Sequence, residues 1–378
     1  MTRNAPSRWA VVGNPENRRV ALFTRAVREA GLPAPRIVSW ASVLGDGGAA
    51  FAADELVRLD SPGENAEVDK VLRGQADPTR VEGGARWYAR FTAAVGTLRG
   101  GMRLDDPGEL AVLFDKRRCH QVLERAGVPV PQSPTSGGGT AVRGWEDVRE
   151  LMARHGMPRV FVKPAHGSSA SGVVAVETAG GGRLRATTSV EVTADGRLHN
   201  SLRVRRVTSE REAAALVDAL APDGLHVERW WPKASLGGGE AADLRVVVVA
   251  GRATHAVVRT SGSPMTNLHL GGRRGDLAAA VAAAGPYWAE ALAVCERAAA
   301  CFPGTLCVGV DLLPAVGWRR FAVAEVNAFG DLLPGLTGLP GSGAEGLDTY
   351  AAQVAAAPAY VQHRLHHHTR NHRATASF

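Results

Sequence analysis

The spacing of apolar residues changes period many times along the chain, and each change marks an element. Residues 9–13 (WAVVG) are a continuous apolar run, which reads as a buried strand. Val20, Phe23 and Val27 follow at helical spacing, and Gly31 stands where that helix must close. The stretch PRIVSWASVL gives a further strand and turn. In SPGENAEVDKVLR (61–73), Ser61 is expected to cap a helix, with Pro62 at its first position and acids in its first turn. Strand and helix thus alternate over roughly the first hundred residues, which predicts a small α/β unit with a parallel sheet.

The pattern changes near Leu104. DPGELAVLFDKRRCHQVLERAGVPVPQS reads as one helix ending at Gly127, after which PVP forces extended chain. GWEDVRELMARHG is a further helix, and RVFVKPAHGSSASGVVAVE reads as strand, glycine loop, strand. Residues 183–207 form a predicted hairpin turning at Ala194-Asp195-Gly196-Arg197, and Ser209 caps a helix in SEREAAALVDAL. HVERWW is a strand, and DLRVVVVAGRATHAVVRT pairs two strands across Ala250-Gly251-Arg252. A long Ala-rich helix is expected over 277–300, then a hairpin of buried strands in VGVDLLPAVGWRRFAVAEVNAFG. The polar, histidine-rich end reads as a disordered tail. The expected units are therefore 1–104, 105–227, 228–360 and a tail over 361–378, and no repeat relates them.

Composition narrows the function classes. The 378 residues are 45% hydrophobic, enough for real cores. No run reaches the roughly 20 apolar residues of a membrane span. The first 19 residues do not read as a secretory signal. Four cysteines without a CxxC pair are expected to be buried free thiols in a reducing cytoplasm. The net charge is +7, carried by forty arginines and only four lysines, Lys70, Lys116, Lys163 and Lys233. The arginines are scattered, with no aromatic-interleaved basic motif, so no nucleic-acid partner is expected. A surviving lysine is a candidate for a task that needs a compact point charge and not a planar fork, although Lys70 and Lys233 also read as ordinary surface residues.

Four features combine into chemistry. Lys116 opens a helix, and Lys163 ends a strand that runs into the Gly-Ser loop. Asp311 lies in one strand of the last hairpin, while Glu325 and Asn327 share a face of the other because they are two apart. If those strands pair, the three side chains converge as hard oxygen ligands suited to Mg²⁺, which is usually completed by substrate phosphates. Two ammonium groups and a ring of backbone N–H donors suit a triphosphate. A carboxylate within the apolar run VAVAEVNAF is costly to bury without such a partner. The combination predicts an ATP site.

The ordered set DKxxxxxxLxxAGVPVP, VKPxxGSSxSGV, VERWW, DLRVVVV and GVDLL…EVN resembles the ATP-grasp ligases over roughly residues 105–350. The pattern is similar to that of the D-alanine–D-alanine ligase, glutathione synthetase and RimK-type group, and TNLHLGG resembles a stretch of the RimK-type enzymes. The resemblance implies an α/β (α+β) ATP-grasp fold, with a small N-terminal domain and two α+β subdomains clasping ATP. It implies that Lys116 and Lys163 contact phosphates and that the loop with His166, Gly167, Ser168, Ser169 and Ser171 closes over them. Glu228 would begin the hinge, backbone groups of Arg229 and Trp231 would meet the adenine edge, and Lys233 or Ser235 would lie near the ribose. Asp311, Glu325 and Asn327 would hold two Mg²⁺ ions, or Mn²⁺ in their place. Arg245 and Arg259 would line the phosphate and acceptor region as catalytic residues beside Lys163. Asn267, Gly330 and Asp331 are assigned to the substrate, a carboxylate on backbone N–H groups or an amine on Asp331. GNPENRR and SPGEN match no functional motif.

The implied reaction joins a carboxylate to an amine through an acylphosphate, with ADP and phosphate released. The substrate class is an amino acid or a peptide, and homodimers are common among such enzymes. Three alternatives stay open: a tailoring ligase or macrocyclase acting on a ribosomal peptide, an ATP-dependent phosphotransferase, and a nucleotide-binding module without catalysis.

Overall fold

The computed structural model describes residues 8–375 apart from 76, 78, 168, 169, 180 and 194. It is built on three sheets. The first contains β1 (Arg8–Val12), β2 (Arg36–Val38), β3 (Ala49–Leu59) and β4 (Leu98–Arg103) in the order β2-β1-β3-β4, with every pairing parallel. Its connections are α1 (Arg18–Glu29), α2 (Trp40–Gly45), α3 (Ala66–Arg73) and α4 (Gly84–Gly96). Parallel neighbours require such crossovers, so the early alternation of periods is legible as this unit.

After α5 (Pro107–Leu113), α6 (Lys116–Arg125) and α7 (Trp145–Arg154), the chain enters an antiparallel sheet. Its strands are β5 (Arg159–Pro164), β6 (Val174–Ala179), β7 (Arg183–Val192), β8 (Leu198–Val207) and, beyond α8 (Glu210–Leu220), β9 (Leu225–Arg229). The order is β8-β7-β6-β5-β9. Val160, Val162, Val174, Val176 and Val227 pack under α7 and α8, through Val148, Leu151, Leu216 and Val217. Because side chains alternate, Phe161 and Lys163 then project from the opposite face.

The third sheet holds β10 (Ser235–Leu236), β11 (Glu240–Val249), β12 (Arg252–Ser261), β13 (Arg273–Arg274), β14 (Cys307–Pro314) and β15 (Phe321–Asn327), ordered β13-β12-β11-β14-β15 with β10 beside β11. The apolar run in β11 is buried on both faces. Leu244, Val246 and Val248 meet α9 (Leu277–Ala284) and α10 (Trp288–Ala300), whereas Val247 and Val249 share a core with Trp9, Val11 and Phe23 of the parallel unit. Tyr350, Val354, Ala357 and Val361 of α11 (Thr349–Thr375) complete that second core. The parallel unit is thereby fixed over one face of the third sheet, and the polar residues on that face look into the gap between them.

Four local expectations are corrected. The helix read from Ser61 begins at Ala66, with Asn65 as its cap, because Asp60, Ser61 and Gly63 are engaged in a tight turn. The helix expected across 106–127 breaks at Phe114–Asp115, where Asp115 Oδ1 caps α6 on the Arg117 N–H at 3.0 Å. The helix expected over 277–300 is interrupted by a 3₁₀ turn at Gly285–Tyr287, where Pro286 follows a glycine. The segment read as a disordered tail continues α11 to Thr375, carried by the buried stripe that Val361 ends and despite Pro358 inside the helix.

Candidate active site

A cavity of about 660 Å³ lies where the three sheets face one another. On the β5–β9 wall, Lys163 pairs in register with His226, and Lys163 Nζ sits 2.5 Å from Glu228 Oε1. Burial would raise the Glu228 pKa, but Lys163 and His226 outweigh it and hold the carboxyl at about 2. His226 Nε2 donates to Glu228 Oε2 at 3.2 Å, and burial pushes the imidazole below its ordinary value.

The strand register of the third sheet aligns its charges. Arg245 stands opposite Asp311, Asp311 opposite Glu325, and Gly309 opposite Asn327. A β-bulge follows Asp311, so β15 bends where Glu325 and Asn327 turn toward the cavity. Arg245 grips Asp311 bidentately, Nε to Oδ1 at 2.6 Å and Nη2 to Oδ2 at 3.0 Å. Arg259 Nη2 reaches Asp311 Oδ1 at 2.9 Å, while its Nε donates to Asp243 Oδ1 at 2.7 Å. Burial opposes ionisation of Asp311, but the two guanidiniums hold its pKa down at about 2.

Lys116 joins this wall to the glycine loop. Its Nζ lies 2.8 Å from Glu325 Oε1 and donates to the Gly167 carbonyl at 2.7 Å. The helix break places it there: Asp115 caps α6, Phe114 O accepts from His166 Nδ1 at 2.7 Å, and Phe114 packs against Phe91 and Phe329. A Cβ on Gly84 would stand 2.9 Å from the His166 carbonyl, so the loop rests on the start of α4. Ser168 and Ser169 lie outside the described residues; His166, Gly167 and Ser171 line the cavity.

The remaining expected residues divide. Trp231, Lys233 and Asn267 line the cavity. Trp231 Nε1 is buried with no acceptor among the described residues, which suits a ligand acceptor there. Lys233 Nζ donates to Pro264 O at 3.0 Å and Thr266 Oγ1 at 3.1 Å, and burial lowers its pKa. Asn267 Oδ1 is occupied in capping the turn at His269. Arg229 and Ser235 do not line the cavity. The Arg229 N–H is already given to Gln132 O at 2.8 Å, which leaves the carbonyl as its only backbone group for an adenine edge. Gly330 also lies behind the wall, where a Cβ on it would stand 2.6 Å from the Gly309 Cα. Asp331 is buried, with Arg19 on Oδ1 and Arg58 and Gln353 on Oδ2, so no substrate amine can use it.

Sequence reasoning missed Arg19 and Glu64, which line the cavity from the parallel unit. Arg19 meets Asp331 across 312 positions, a distance over which no local pattern carries a signal.

The oxygens of Asp311, Glu325 and Asn327 are of the hard type that suits Mg²⁺. Among the described residues, Glu325 Oε2 accepts no hydrogen bond, and the Asn327 side chain bonds only through Nδ2, to Gly309 O at 3.4 Å. Asp311 Oδ2 carries a single donor. Three oxygens from facing strands can therefore turn to one ion while the arginines and Lys116 keep their carboxylates ionised.

No protein-family model matches the sequence, and no curated protein matches it. Solved structures do match the fold. The D-cycloserine synthetase DcsG is 17% identical, with 93% of this chain and 99% of that one covered and a TM-score of 0.55. The ATP-grasp ligase PsnB, solved with a minimal precursor, Mg and ADP, is 18% identical, with 96% and 99% covered and a TM-score of 0.51. The three sheets, their order and the near-complete coverage of both chains identify the architecture: this chain has the ATP-grasp fold.

Proposed function

We propose that the protein is an ATP-dependent ligase that joins a carboxylate to an amine through an acylphosphate, on an amino acid or peptide substrate. The observation that carries this reading is the convergence of Lys116, Lys163 and the Asp311–Glu325–Asn327 set on the cavity that the three sheets face. The similarity to PsnB, solved with Mg and ADP, supports ATP and Mg²⁺ as the nucleotide and ion.

In this reading Lys163 and Lys116 exchange part of their contact with Glu228, Glu325 and Gly167 O for phosphate oxygens. Trp231 faces the base, and Lys233 stands on the nucleotide side of the Asp243–Arg259 pair. Asp311, Glu325 and Asn327 would hold Mg²⁺, which neutralises charge spread over the transferred phosphoryl group. Arg259 and Arg245, fixed on Asp311, add positive charge where the γ-phosphoryl moves, without reorganising during the reaction. The substrate carboxylate oxygen attacks the γ-phosphorus and ADP leaves. The amine then attacks the acyl carbon, and phosphate departs with that carboxylate oxygen. His166 and Gly167, the latter braced by Lys116, would shield the acylphosphate from water that would otherwise hydrolyse it.

The test is isotopic. A substrate labelled with ¹⁸O in its carboxylate should deliver one ¹⁸O into phosphate for each amide formed. Label recovered in AMP or in water with none in phosphate, or a phosphorylated product without an amide, would contradict the acylphosphate route. Free amino acids and peptides in the same assay separate the two substrate classes.

A further inference from the structure

GNPENRR (13–19) and SPGEN (61–65) take no part in the chemistry above, yet the structure brings them together. Asn14 Nδ2 donates to the carbonyls of Pro62 and Gly63 at 2.9 and 3.1 Å. Asn17 Nδ2 donates to Glu64 Oε2 at 3.1 Å, and both asparagines are buried. Glu64 is held at φ 65°, a left-handed conformation that costs a non-glycine residue on the order of 1 kcal/mol or more. Loops built this way have one shape, and Asn17, Arg19, Gly63 and Glu64 present it to the cavity.

Arg19 is the unspent cation of that wall. Its Nη1 donates to Asp331 Oδ1 at 2.7 Å, and Asp331 Oδ2 is held by Arg58 Nη2 at 2.8 Å and Gln353 Nε2 at 2.9 Å. All three guanidinium nitrogens of Arg58 already donate, Nε to Gln353, Nη1 to Asp60 and Nη2 to Asp331. Arg19 differs. No described residue accepts from its Nε or Nη2, and its side chain is 16% exposed. A guanidinium clamped at one corner offers the rest of its fork in a fixed orientation, which matches a carboxylate. The cation is mostly desolvated and shares its one bonded carboxylate with a second arginine, so an incoming anion is favoured.

We propose that Arg19, clamped by Asp331, is a specificity-determining residue that binds a second, non-reacting carboxylate of the substrate. This deepens the ligase reading and rests on it for what reacts at the opposite wall. The substrate class is then an amino acid or peptide with a carboxylate remote from the reacting group: an α-amino acid used through its amine, or a dicarboxylic one used through one acid. Asp331, which sequence reasoning offered to an amine, is a positioning residue in this arrangement.

The test uses the full chain and probes that carry or lack a carboxylate: the common amino acids, glutarate, and their carboxamides. Thermal unfolding without nucleotide is measured for wild type, Arg19→Ala and Arg19→Lys. At least one acid should raise the wild-type Tm while its carboxamide does not, and Arg19→Ala should abolish that rise. Arg19→Lys, which keeps the charge but loses the fork, should weaken binding of the same acid about tenfold. In steady state, Arg19→Ala should raise KM for that acid by far more than kcat falls. Amino acids and glutarate as separate arms tell the amine-reacting from the acid-reacting use. The proposal is overturned if no acid shifts the wild-type Tm, or if acid and carboxamide shift it equally. A rise that survives in Arg19→Ala overturns it too. If Arg19→Ala does not fold, Arg19→Lys and Asp331→Asn decide it, and unchanged acid affinity in both overturns it. Failure of wild type to bind AMPPNP with Mg²⁺ would instead strike at the nucleotide reading, which these nucleotide-free shifts do not use.

Discussion

Lys163 Nζ and Glu228 Oε1 lie 2.5 Å apart across β5 and β9, so the glycine loop starts from a lysine already fixed by a buried carboxylate. Lys163 and His226 keep Glu228 charged although it is buried, and its pKa falls from 4.5 to about 2. A carboxyl depressed on folding contributes stability above its unfolded pKa and loses it as pH falls toward the folded value. Wild type should therefore lose stability between about pH 4.5 and pH 2, and Glu228→Gln should flatten that part of the curve. Urea unfolding from pH 2 to 6 measures it, and parallel curves for the two proteins would refute the assignment.

Arg259 is shared between Asp243 and Asp311. Arg259→Ala leaves both buried carboxylates short of a donor, although Arg245 still holds Asp311 and Thr266 still donates to Asp243. Breaking such a buried pair costs about 3–5 kcal/mol. Denaturant titration at pH 7 should show a loss of that order together with loss of ADP formation. A variant with wild-type stability would mean that the ion network is only a surface decoration of the cavity.

The parallel sheet, the strand that delivers Lys163 and the hairpin strands that carry Asp311 and Glu325 were legible because they depend on local period. The register between those two strands depends instead on the bulge after Asp311. Buried strands read as apolar runs, and residues two apart share a face whatever surrounds them. What escaped depends on partners far along the chain. The break before Lys116 is set by the Asp115 cap and by Phe114 O accepting from His166, fifty-two residues away. Asn65 displaced Ser61 as a cap because Asn14 pins the Pro62 and Gly63 carbonyls in a turn. Arg19 carried no signal at all, since its meaning comes from Asp331. The helical run past Val361 was masked by Pro358 and by a polar histidine cluster, which hid the burial of its preceding turns.

Gly309 and Gly330 place two backbones in contact behind the carboxylates, with a Cβ on Gly309 only 2.6 Å from the Gly330 Cα. Gly309→Ala should push β14 from the 328–331 segment and tilt Asp311 away from Glu325. Overpacking of this kind costs about 1–3 kcal/mol. The expected result is a lower Tm and a larger proportional loss of activity than of stability. Full activity in this variant would show that the close approach does not position the site.

Asp105 is buried where the parallel unit meets the third sheet, with Arg58, Asp60 and Asp331 nearby, and it accepts from the Leu59 N–H at 3.1 Å. Burial raises its pKa to about 7. Here the native state binds the proton more tightly, so stability falls as pH rises from about 4 toward 7. Asp105→Asn keeps an acceptor for Leu59 and should remove that slope, with a gain at pH 8 on the order of 4 kcal/mol at most. A variant less stable than wild type at pH 8 would contradict the sign.

The central claim is ATP-driven ligation at the cavity between the sheets. Its most direct measurement is ADP release by the purified chain with ATP and Mg²⁺ across a panel of carboxylates and amines, for wild type and Lys163→Ala. Ligation predicts ADP that depends on both a carboxylate and an amine, one amide for each ADP, and at least a hundredfold loss in Lys163→Ala. ADP formed at the same rate without any amine, or unaffected by Lys163→Ala, would contradict it.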